Sequence, residues 1–200
     1  MQLKNEKVIL RDFIESDIED RIHWELIETE WQLWDAPWEI DEVFDPETYR
    51  RDQLNKLEQD KSDDQIRWCF EICVNDESQK HIGWCNAYRI DREYKYTKGS
   101  GYCTIGIGIP DMLSRRKGYA THSWMLYINY FLDNGIKDIH TQTWSGNKRV
   151  IGLMNKVGFE ECSREVNFKV INGKYYDSLT FKLNEHKFKE FCDRIENNEC

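Results

Sequence analysis

Apolar and polar residues alternate in several short stretches of the chain, which is typical of β-strands with one buried face. The clearest stretch runs from Arg67 to Val74, with one apolar face (Trp68, Phe70, Ile72 and Val74) and the opposite face formed by Cys69, Glu71 and Cys73. A polar turn separates it from residues 81–90, which are predicted to return as an antiparallel partner. Further strands are predicted at residues 8–11, 102–109, 139–144, 164–171 and 174–183.

Helical spacing of apolar residues predicts helices between these strands. The first helix is predicted from Ser16 or Asp17, either of which can cap it, to about Thr29, and the second begins at Pro46 and ends near residue 60. Three more are predicted at about 120–134, at 147–157 and in the charged tail from residue 184 onward. Residues 91–100 are predicted to form a polar loop, and the pair Asn172-Gly173 a tight hairpin turn.

Together these elements predict an α/β fold. Its sheet is mixed and mostly antiparallel, with a parallel pair of strands at 102–109 and 139–144 joined by the helix at 120–134 and with helices flanking the sheet. The 200 residues contain three prolines and no Gly/Ser-rich linker, so we expect a single domain over residues 1–200, with a helical tail at about 184–200.

Charge and terminal composition narrow the possible partners. The net charge of −9 argues against nucleic-acid binding, which needs clustered cations, and suits a cationic substrate, although an acidic surface is also common in soluble proteins. The chain opens Met-Gln-Leu-Lys-Asn-Glu without an apolar signal segment, and no run reaches transmembrane length. We therefore expect a cytoplasmic protein with no membrane partner, as a monomer or a homodimer.

The cysteines and histidines show no metal-binding pattern. The chain has seven cysteines, an odd number, and no CxxC motif. Cys69 and Cys73 are four positions apart and would share one face of a strand. Reduced and mostly buried thiols are the best interpretation. The five histidines lack metal-ligand spacing, so no metal is predicted.

The segment Arg115-Arg116-Lys117-Gly118-Tyr119-Ala120 lies between a predicted strand and a predicted helix. Small residues at Gly118 and Ala120 keep side chains clear, so that several N–H groups can converge on an anion at a helix N-terminus, where the macrodipole favours negative charge. Three cationic side chains precede the glycine and can neutralise phosphate charge. The segment is neither a Walker loop nor a GxGxxG turn. It predicts a pyrophosphate-binding turn, with an ordinary basic loop as the alternative.

Two further motifs follow this turn. They are Thr143-Trp144-Ser145-Gly146-Asn147 and Leu153-Met154-Asn155-Lys156-Val157-Gly158-Phe159. The order strand, R-x-x-G-x-A, helix, strand, Asn, helix, K-x-G-F resembles the GNAT superfamily of N-acetyltransferases, most closely its ribosomal-protein-alanine-type branch. The resemblance extends from Leu10-Arg11 to Leu183 and is strongest from about residue 102 to residue 159.

The resemblance implies a GNAT fold whose parallel strands splay around an acyl-CoA, with acetyl-CoA as the acyl donor. It implies that main-chain groups at Ile107, Gly108 and Ile109, together with Asn147, bind the pantetheine arm. It assigns the pyrophosphate to a run of residues, namely Arg115, Arg116, Lys117, Gly118, Tyr119 and Ala120. A glycine-containing edge strand is the alternative for residues 107–109, and a plain helix N-cap is the alternative for Asn147.

The proton-transferring groups depart from the pattern of the resembled family. Met154 stands where many members carry a tyrosine acid, and Val150 where the ribosomal-alanine-type branch often has a serine. Either the thiolate, with a pKa of about 8.5, leaves unassisted, or Tyr175 or Tyr176 serves as the acid. For the general base, Glu71 is the first candidate because it lies mid-strand opposite an apolar face; Asp91 and His81 are weaker, and His81 is expected at the surface. A salt-bridged structural carboxylate is the alternative for Glu71.

The aromatic segment around Trp34 and Trp38 is predicted to bind the acceptor, a small-molecule or peptide amine. Its tryptophan faces and the carboxylates Asp35 and Glu39, with the acidic run 41–45, suit a cationic amine. The alternative is that the tryptophans fasten a loop to the core. The sequence thus predicts an acetyl-CoA-dependent N-acetyltransferase acting by direct attack in a ternary complex. A non-catalytic acyl-CoA- or partner-binding module is the alternative, and an ATP-binding protein is a weaker one.

Overall fold

The structure is a computed structural model that describes residues 1–38, 43–59 and 65–197. Its residues group into two compact units, Met1–Cys85 with Ile107–Ser123, and Asn86–Gly106 with Trp124–Cys200. Strands β4 (His81–Ile90) and β6 (Tyr102–Gly108) and helix α3 (Tyr119–Asp133) each contribute residues to both units. The single domain over 1–200 stays a prediction.

The first unit contains strands in the order β1-β2-β3-β4, of which β4 contributes only its first five residues. Strand β1 (Gln2–Lys4) pairs with β2 (Val8–Arg11), and β2 pairs with β3 (Cys69–Val74). Phe70, Ile72 and Val74 of the predicted apolar face are buried, but Glu71 and Cys73 of the opposite face are buried too, so β3 is covered on both faces. The register places Arg11 opposite Glu71, so two charged groups adjoin this apolar core.

Two α-helices and a short 3-10 helix follow β2 and precede β3. Helix α1 spans Asp17–Leu26, the 3-10 helix Thr29–Leu33 and α2 Pro46–Leu57. The predicted end of α1 near Thr29 is wrong, because the N–H groups of Ile27 and Glu28 both bond to the carbonyl of His23 and close the helix. Ser16 occupies the N-cap position but makes no side-chain cap bond.

The second unit contains the order β4-β6-β7-β9-β8, with the two-residue strand β5 (Tyr96–Thr97) on β4. Strands β6 and β7 (His140–Trp144) are parallel, as predicted, with Thr104 in register with His140. Strands β8 (Phe159–Ile171) and β9 (Lys174–Leu183) form the predicted hairpin. Asn172 and Gly173 at its turn have φ values of 50° and 76°, as a type I′ turn requires.

Helices cover this part of the sheet. The buried face of α3 carries Trp124, Tyr127, Ile128 and Phe131, all closed to solvent. Helix α4 (Lys148–Val157) ends at Gly158, whose φ of +103° lets the chain turn into β8. The predicted tail helix forms as α5 (Glu185–Glu196), and Phe188 and Phe191 are its buried aromatic residues.

The fold class is therefore confirmed as α/β, with a mixed sheet that contains a parallel pair and is flanked by helices. Among the described residues, none of the helices combines the length and the apolar character needed to cross a membrane.

Candidate functional site

The segment 115–120 forms a turn that leads directly into helix α3. Gly118 has φ +87° and Arg116 has φ +62°, both in the left-handed region, and the carbonyl of Gly118 accepts the N–H of His122 at 3.1 Å to begin the helix. The first N–H groups of an α-helix have no carbonyl partner inside it. They are therefore directed at the space before the helix, where the macrodipole favours an anion.

Arg115 lies at this turn, but its guanidinium is directed into the protein. Its Nε donates to the carbonyl of Ile109 at 2.9 Å, one terminal nitrogen donates to the carbonyl of Pro110 at 2.9 Å, and the other forms an ion pair with Glu30. Arg115 thereby fastens the turn to the chain that follows β6. Its predicted direct contact with phosphate stays a prediction, and these bonds give it a positioning role as well.

A cation that the sequence analysis did not identify also lies at the turn. The Nζ of Lys7 donates to the carbonyl of Lys117 at 3.4 Å, and it would lie 3.3 Å from a Cβ placed on Gly118. Lys7 belongs to the loop between β1 and β2, 110 positions from Lys117. No local sequence signal connects the two segments, because only the folded hairpin brings Lys7 to the turn.

The strand end at Ile107–Ile109 approaches β4 very closely in the first unit. A Cβ on Gly83 would lie 2.0 Å from the carbonyl oxygen of Gly108, and a Cβ on Gly108 would lie 2.8 Å from the indole of Trp84. Both glycines are thus required by the neighbouring strand and its tryptophan. This explains Gly108 without a ligand, and the binding of a pantetheine arm at Ile107, Gly108 and Ile109 stays a prediction.

Glu71 is buried in a network of ion pairs. Arg21 donates to its two oxygens at 2.9 and 3.2 Å, and the Nε2 of His81 lies 2.8 Å from the second oxygen. The carboxylate therefore already makes three hydrogen bonds, two with Arg21 and one with His81, which favours the salt-bridged alternative. Its role as general base stays a prediction.

His81 is buried, with 8% of its surface exposed, so its predicted surface position is wrong. Its ring packs 4.7 Å from that of Trp24, and its Nδ1 lies 2.9 Å from Asp20 and 3.4 Å from Asp17. Burial lowers the pKa of His81, but hydrogen bonds to Asp20 and Glu71 and the nearby carboxylate charges outweigh it and raise the pKa overall.

The charges in this network balance when His81 is protonated. Arg11 donates to both oxygens of Asp17 at 2.6 Å. The network therefore has three carboxylates and three cations, namely Asp17, Asp20 and Glu71 with Arg11, Arg21 and protonated His81. Asp17, Asp20 and His81 are also close enough together to hold a metal ion, but Arg11 already compensates Asp17. The expectation of no metal stays a prediction.

The aromatic loop is fastened to the first unit by its tryptophans. Trp31 donates from Nε1 to the carbonyl of Trp24 at 2.9 Å and packs edge-on against Trp84, and Trp34 donates to Glu30 at 2.7 Å. Trp34 and Trp38 are both half-buried, and their role in binding the acceptor stays a prediction. Glu39 and residues 41–42 of the acidic run lie outside the described residues.

Asn147 is the N-cap of α4 in the second unit. Its side-chain oxygen accepts the N–H of Val150 at 3.2 Å, so the N-cap alternative is correct, and a second role toward the donor stays a prediction. Met154 is fully buried in the same helix and cannot donate a proton. Of the two tyrosine candidates, Tyr175 is 64% exposed, whereas Tyr176 packs edge-on against Trp144 with ring centroids 4.9 Å apart.

Comparisons with known proteins agree with the fold. A family profile described as an acetyltransferase (GNAT) domain matches residues 7–160. Similar solved structures include a GNAT-family acetyltransferase from Bacillus anthracis, which is 18% identical with a TM-score of 0.66 over 93% of this chain and 99% of that one. RimL, a ribosomal L7/L12 alpha-N-protein acetyltransferase in complex with coenzyme A, is 16% identical with a TM-score of 0.67 over 91% and 97% of the two chains.

A spermidine N-acetyltransferase chimera from Vibrio cholerae and hSSAT is 17% identical, with a TM-score of 0.63 over 91% of this chain and 98% of that one. The comparison with curated proteins gives no match. Because structures with different substrates fit about equally well, a ribosomal-protein-alanine-type branch is not singled out. The profile covers more than half of the sequence, and on that basis the chain belongs to the GNAT acetyltransferase domain family.

Proposed function

We propose that this protein is an acetyl-CoA-dependent N-acetyltransferase that acetylates a primary amine. The observation that carries the proposal is the turn at 115–120, where left-handed Gly118 opens helix α3 in a chain of the GNAT family. A structure of similar fold, RimL, was solved with coenzyme A, which supports an acyl-CoA as the donor. The N–H groups of the first turn of α3 and the cations of the turn bind the pyrophosphate.

The reaction is a direct transfer in a ternary complex. The acceptor binds as an ammonium ion and first gives one proton to water. The neutral amine nitrogen then forms a bond to the thioester carbonyl carbon, the carbon–sulfur bond breaks, the sulfur leaves as a thiolate, and the second proton of the nitrogen passes through water to the general base. The task of the protein is to hold the two reactants together and to polarise the carbonyl. Main-chain N–H groups at Ile107–Ile109 take the second role in this proposal.

Three buried cysteines, Cys73, Cys85 and Cys103, are unsuited to carry a covalent acetyl group, which favours direct transfer. Burial raises the pKa of Cys73 to about 11 and that of Cys103 to about 12, and it raises the pKa of Cys85 well above the ordinary value. Such thiols are protonated near neutral pH and are poor nucleophiles. After incubation with labelled acetyl-CoA alone, the denatured protein should carry no label, and retained label would contradict direct transfer.

Proton transfer needs little assistance on the donor side. A thiolate with a pKa of about 8.5 leaves readily near neutral pH, so the absence of a donor at Met154 and Val150 is compatible with turnover. Tyr176 is the candidate acid, since it is half-buried against Trp144. Glu71 remains the candidate base through water, although Arg21 and His81 already bind it.

The acceptor is a cationic amine, either small or at a protein N-terminus. The net charge of −9 and the carboxylates Glu25 and Asp35 near the aromatic loop support this class. Burial and the charge of Asp35 raise the pKa of Glu25, whereas the hydrogen bond from Gln32 and the charge of Arg21 lower it less. Proteins of similar structure include a spermidine N-acetyltransferase and a ribosomal L7/L12 acetyltransferase. These support a small amine and a protein N-terminus as alternative acceptors.

A non-catalytic acyl-CoA-binding module is the second candidate. Met154, fully buried at the customary position of the acid, is the observation that favours it. The deciding experiment titrates acetyl-CoA, CoA and ATP calorimetrically and then follows CoA release over a panel of polyamines and peptide N-termini. Binding of both CoA species with release of CoA supports the enzyme, and binding without release on any amine supports the module. Transfer to thiols or hydroxyls instead would contradict the amine class.

A further inference from the structure

The loop between β1 and β2 brings an additional cation to the turn at 115–120. Asn5 fixes this loop, because its side-chain oxygen accepts the N–H groups of Lys7 and Val8 at 3.1 and 3.0 Å, and its amide donates to the carbonyl of His122 at 3.1 Å. On its other side, the carbonyl of Lys7 accepts the N–H of Asn75 at 2.9 Å. The main chain of Lys7 is thus held in place beside the first turn of α3.

The ammonium group of Lys7 reaches the turn itself. It lies 3.4 Å from the carbonyl of Lys117 and would lie 3.3 Å from a Cβ on Gly118. Gly118 therefore leaves free the space between the ammonium and the beginning of the helix. An anion bound at the N–H groups of the helix would be within reach of a flexible, exposed lysine side chain.

The charges at this turn are only partly compensated, because Asp111 acts on Lys117 electrostatically without forming an ion pair with it. Lys7, Arg116 and Lys117 have no carboxylate within ion-pair distance in the described part of the chain, whereas Arg115 has Glu30. Glu6, the acidic neighbour of Lys7, lies with a carboxylate oxygen 3.0 Å from the Nδ1 of His122. Three like charges at one helix N-terminus repel one another, and the macrodipole adds to their positive potential. A bound anion would relieve this repulsion.

We propose that Lys7 is a phosphate-binding residue for the acyl-CoA donor, acting with Arg116, Lys117 and the main chain of the turn. The inference rests on the proposed function. It adds to the turn, where the donors of Arg115 bind Ile109, Pro110 and Glu30, a lysine that lies far away in the sequence. The ligand groups are the phosphates of coenzyme A, either the pyrophosphate or the phosphomonoester on the ribose.

The test is calorimetric titration of CoA and 3′-dephospho-CoA into the wild-type protein, Lys7→Met, Lys7→Arg and Lys4→Met. Lys4→Met is a matched control because Lys4 is exposed on the neighbouring strand β1 and its substitution removes the same charge. We expect Lys7→Met to weaken CoA binding about five- to tenfold at low salt and Lys4→Met to leave it unchanged. The loss should shrink as salt is raised, and Lys7→Arg should restore most of the affinity.

The two ligands identify the phosphate. A loss that is equal for CoA and dephospho-CoA assigns Lys7 to the pyrophosphate, and a loss confined to CoA assigns it to the phosphomonoester; both results support the proposal. Wild-type affinity in Lys7→Met overturns it while leaving the proposed function intact. A loss that is independent of salt and is not restored in Lys7→Arg also overturns it, because Lys7 would then only fasten the turn. If the wild-type protein binds no CoA, the proposed function itself fails.

Discussion

Glu30 forms an ion pair with Arg115 through one carboxylate oxygen and accepts the indole N–H of Trp34 at 2.7 Å through the other. One carboxylate therefore connects the proposed phosphate turn with the aromatic loop of the first unit. Glu30 neutralises Arg115, which the sequence analysis assigned to phosphate binding. It also holds Trp34, which the sequence analysis assigned to the acceptor.

Replacing Glu30 by Gln should tighten the binding of CoA. The substitution removes a negative charge beside the turn, and we expect the dissociation constant to fall about two- to fivefold at low salt. Calorimetric titration measures this, and Glu28→Gln is the control because Glu28 makes the same charge change in the same loop. Weaker binding in Glu30→Gln would contradict the prediction and make Glu30 necessary for positioning Arg115.

Replacing Gly118 by Val should weaken CoA binding strongly without unfolding the protein. Valine is strained at φ +87°, and its side chain would fill the space between the turn and Lys7. Gly135→Val is the matched control, because Gly135 has φ +75° at the other end of α3 and no atom within 4 Å of a Cβ. Circular dichroism should show both variants folded. Wild-type affinity in a folded Gly118→Val protein would refute the phosphate assignment.

Replacing Glu71 by Gln should lower stability more than it lowers the rate of transfer. Breaking a buried ion pair leaves Arg21 and His81 without their carboxylate, which costs about 3 kcal/mol in the free energy of unfolding. Urea unfolding measures the loss, with Glu161→Gln as a control, since Glu161 pairs with Arg164 at the surface and should contribute little. A stable variant with almost no turnover would contradict this and favour Glu71 as the general base.

The stability of the protein should depend on pH through His81. Its pKa is raised in the folded state, so the stabilisation is complete below the unfolded pKa of about 6.5 and is lost as pH rises through the folded pKa. Unfolding free energies should therefore decline above about pH 6.5, and the decline should be absent in His81→Gln. His186→Gln, at an exposed position, should keep the wild-type slope. An identical slope in His81→Gln would disprove the link.

The spacing of apolar residues predicted the longer helices and strands well, because in these elements buried positions recur at regular intervals along the chain. Local residues determine three of these features. Asn172-Gly173 and Gly158 stand where the backbone needs a positive φ, and apolar residues at helical spacing form the buried face of α3. Strands β1 and β5 were missed because three and two residues are too few for alternation to be visible. Their pairing is determined by neighbouring strands, which a local pattern does not contain.

The site was only partly predictable for a related reason. The glycine and the cations of the turn at 115–120 are neighbours in the sequence, so the sequence alone predicts an anion-binding turn. Lys7 and Glu30 join them through folding, from 110 and 85 positions away. His81 was assigned to the surface because it follows a polar turn, but α1 covers it with Asp17 and Asp20. Contacts between elements determine that burial, and no spacing along the chain encodes them.

The inward direction of Arg115 has a consequence for how this turn tolerates substitution. Where the main chain provides most of the binding groups, almost any side chain can stand at a position, since every residue except proline carries the same N–H. Selection then acts on backbone shape. A saturation library over 115–120, sorted by CoA binding, should accept many residues at Tyr119 and almost none but glycine at 118, where φ is +87°.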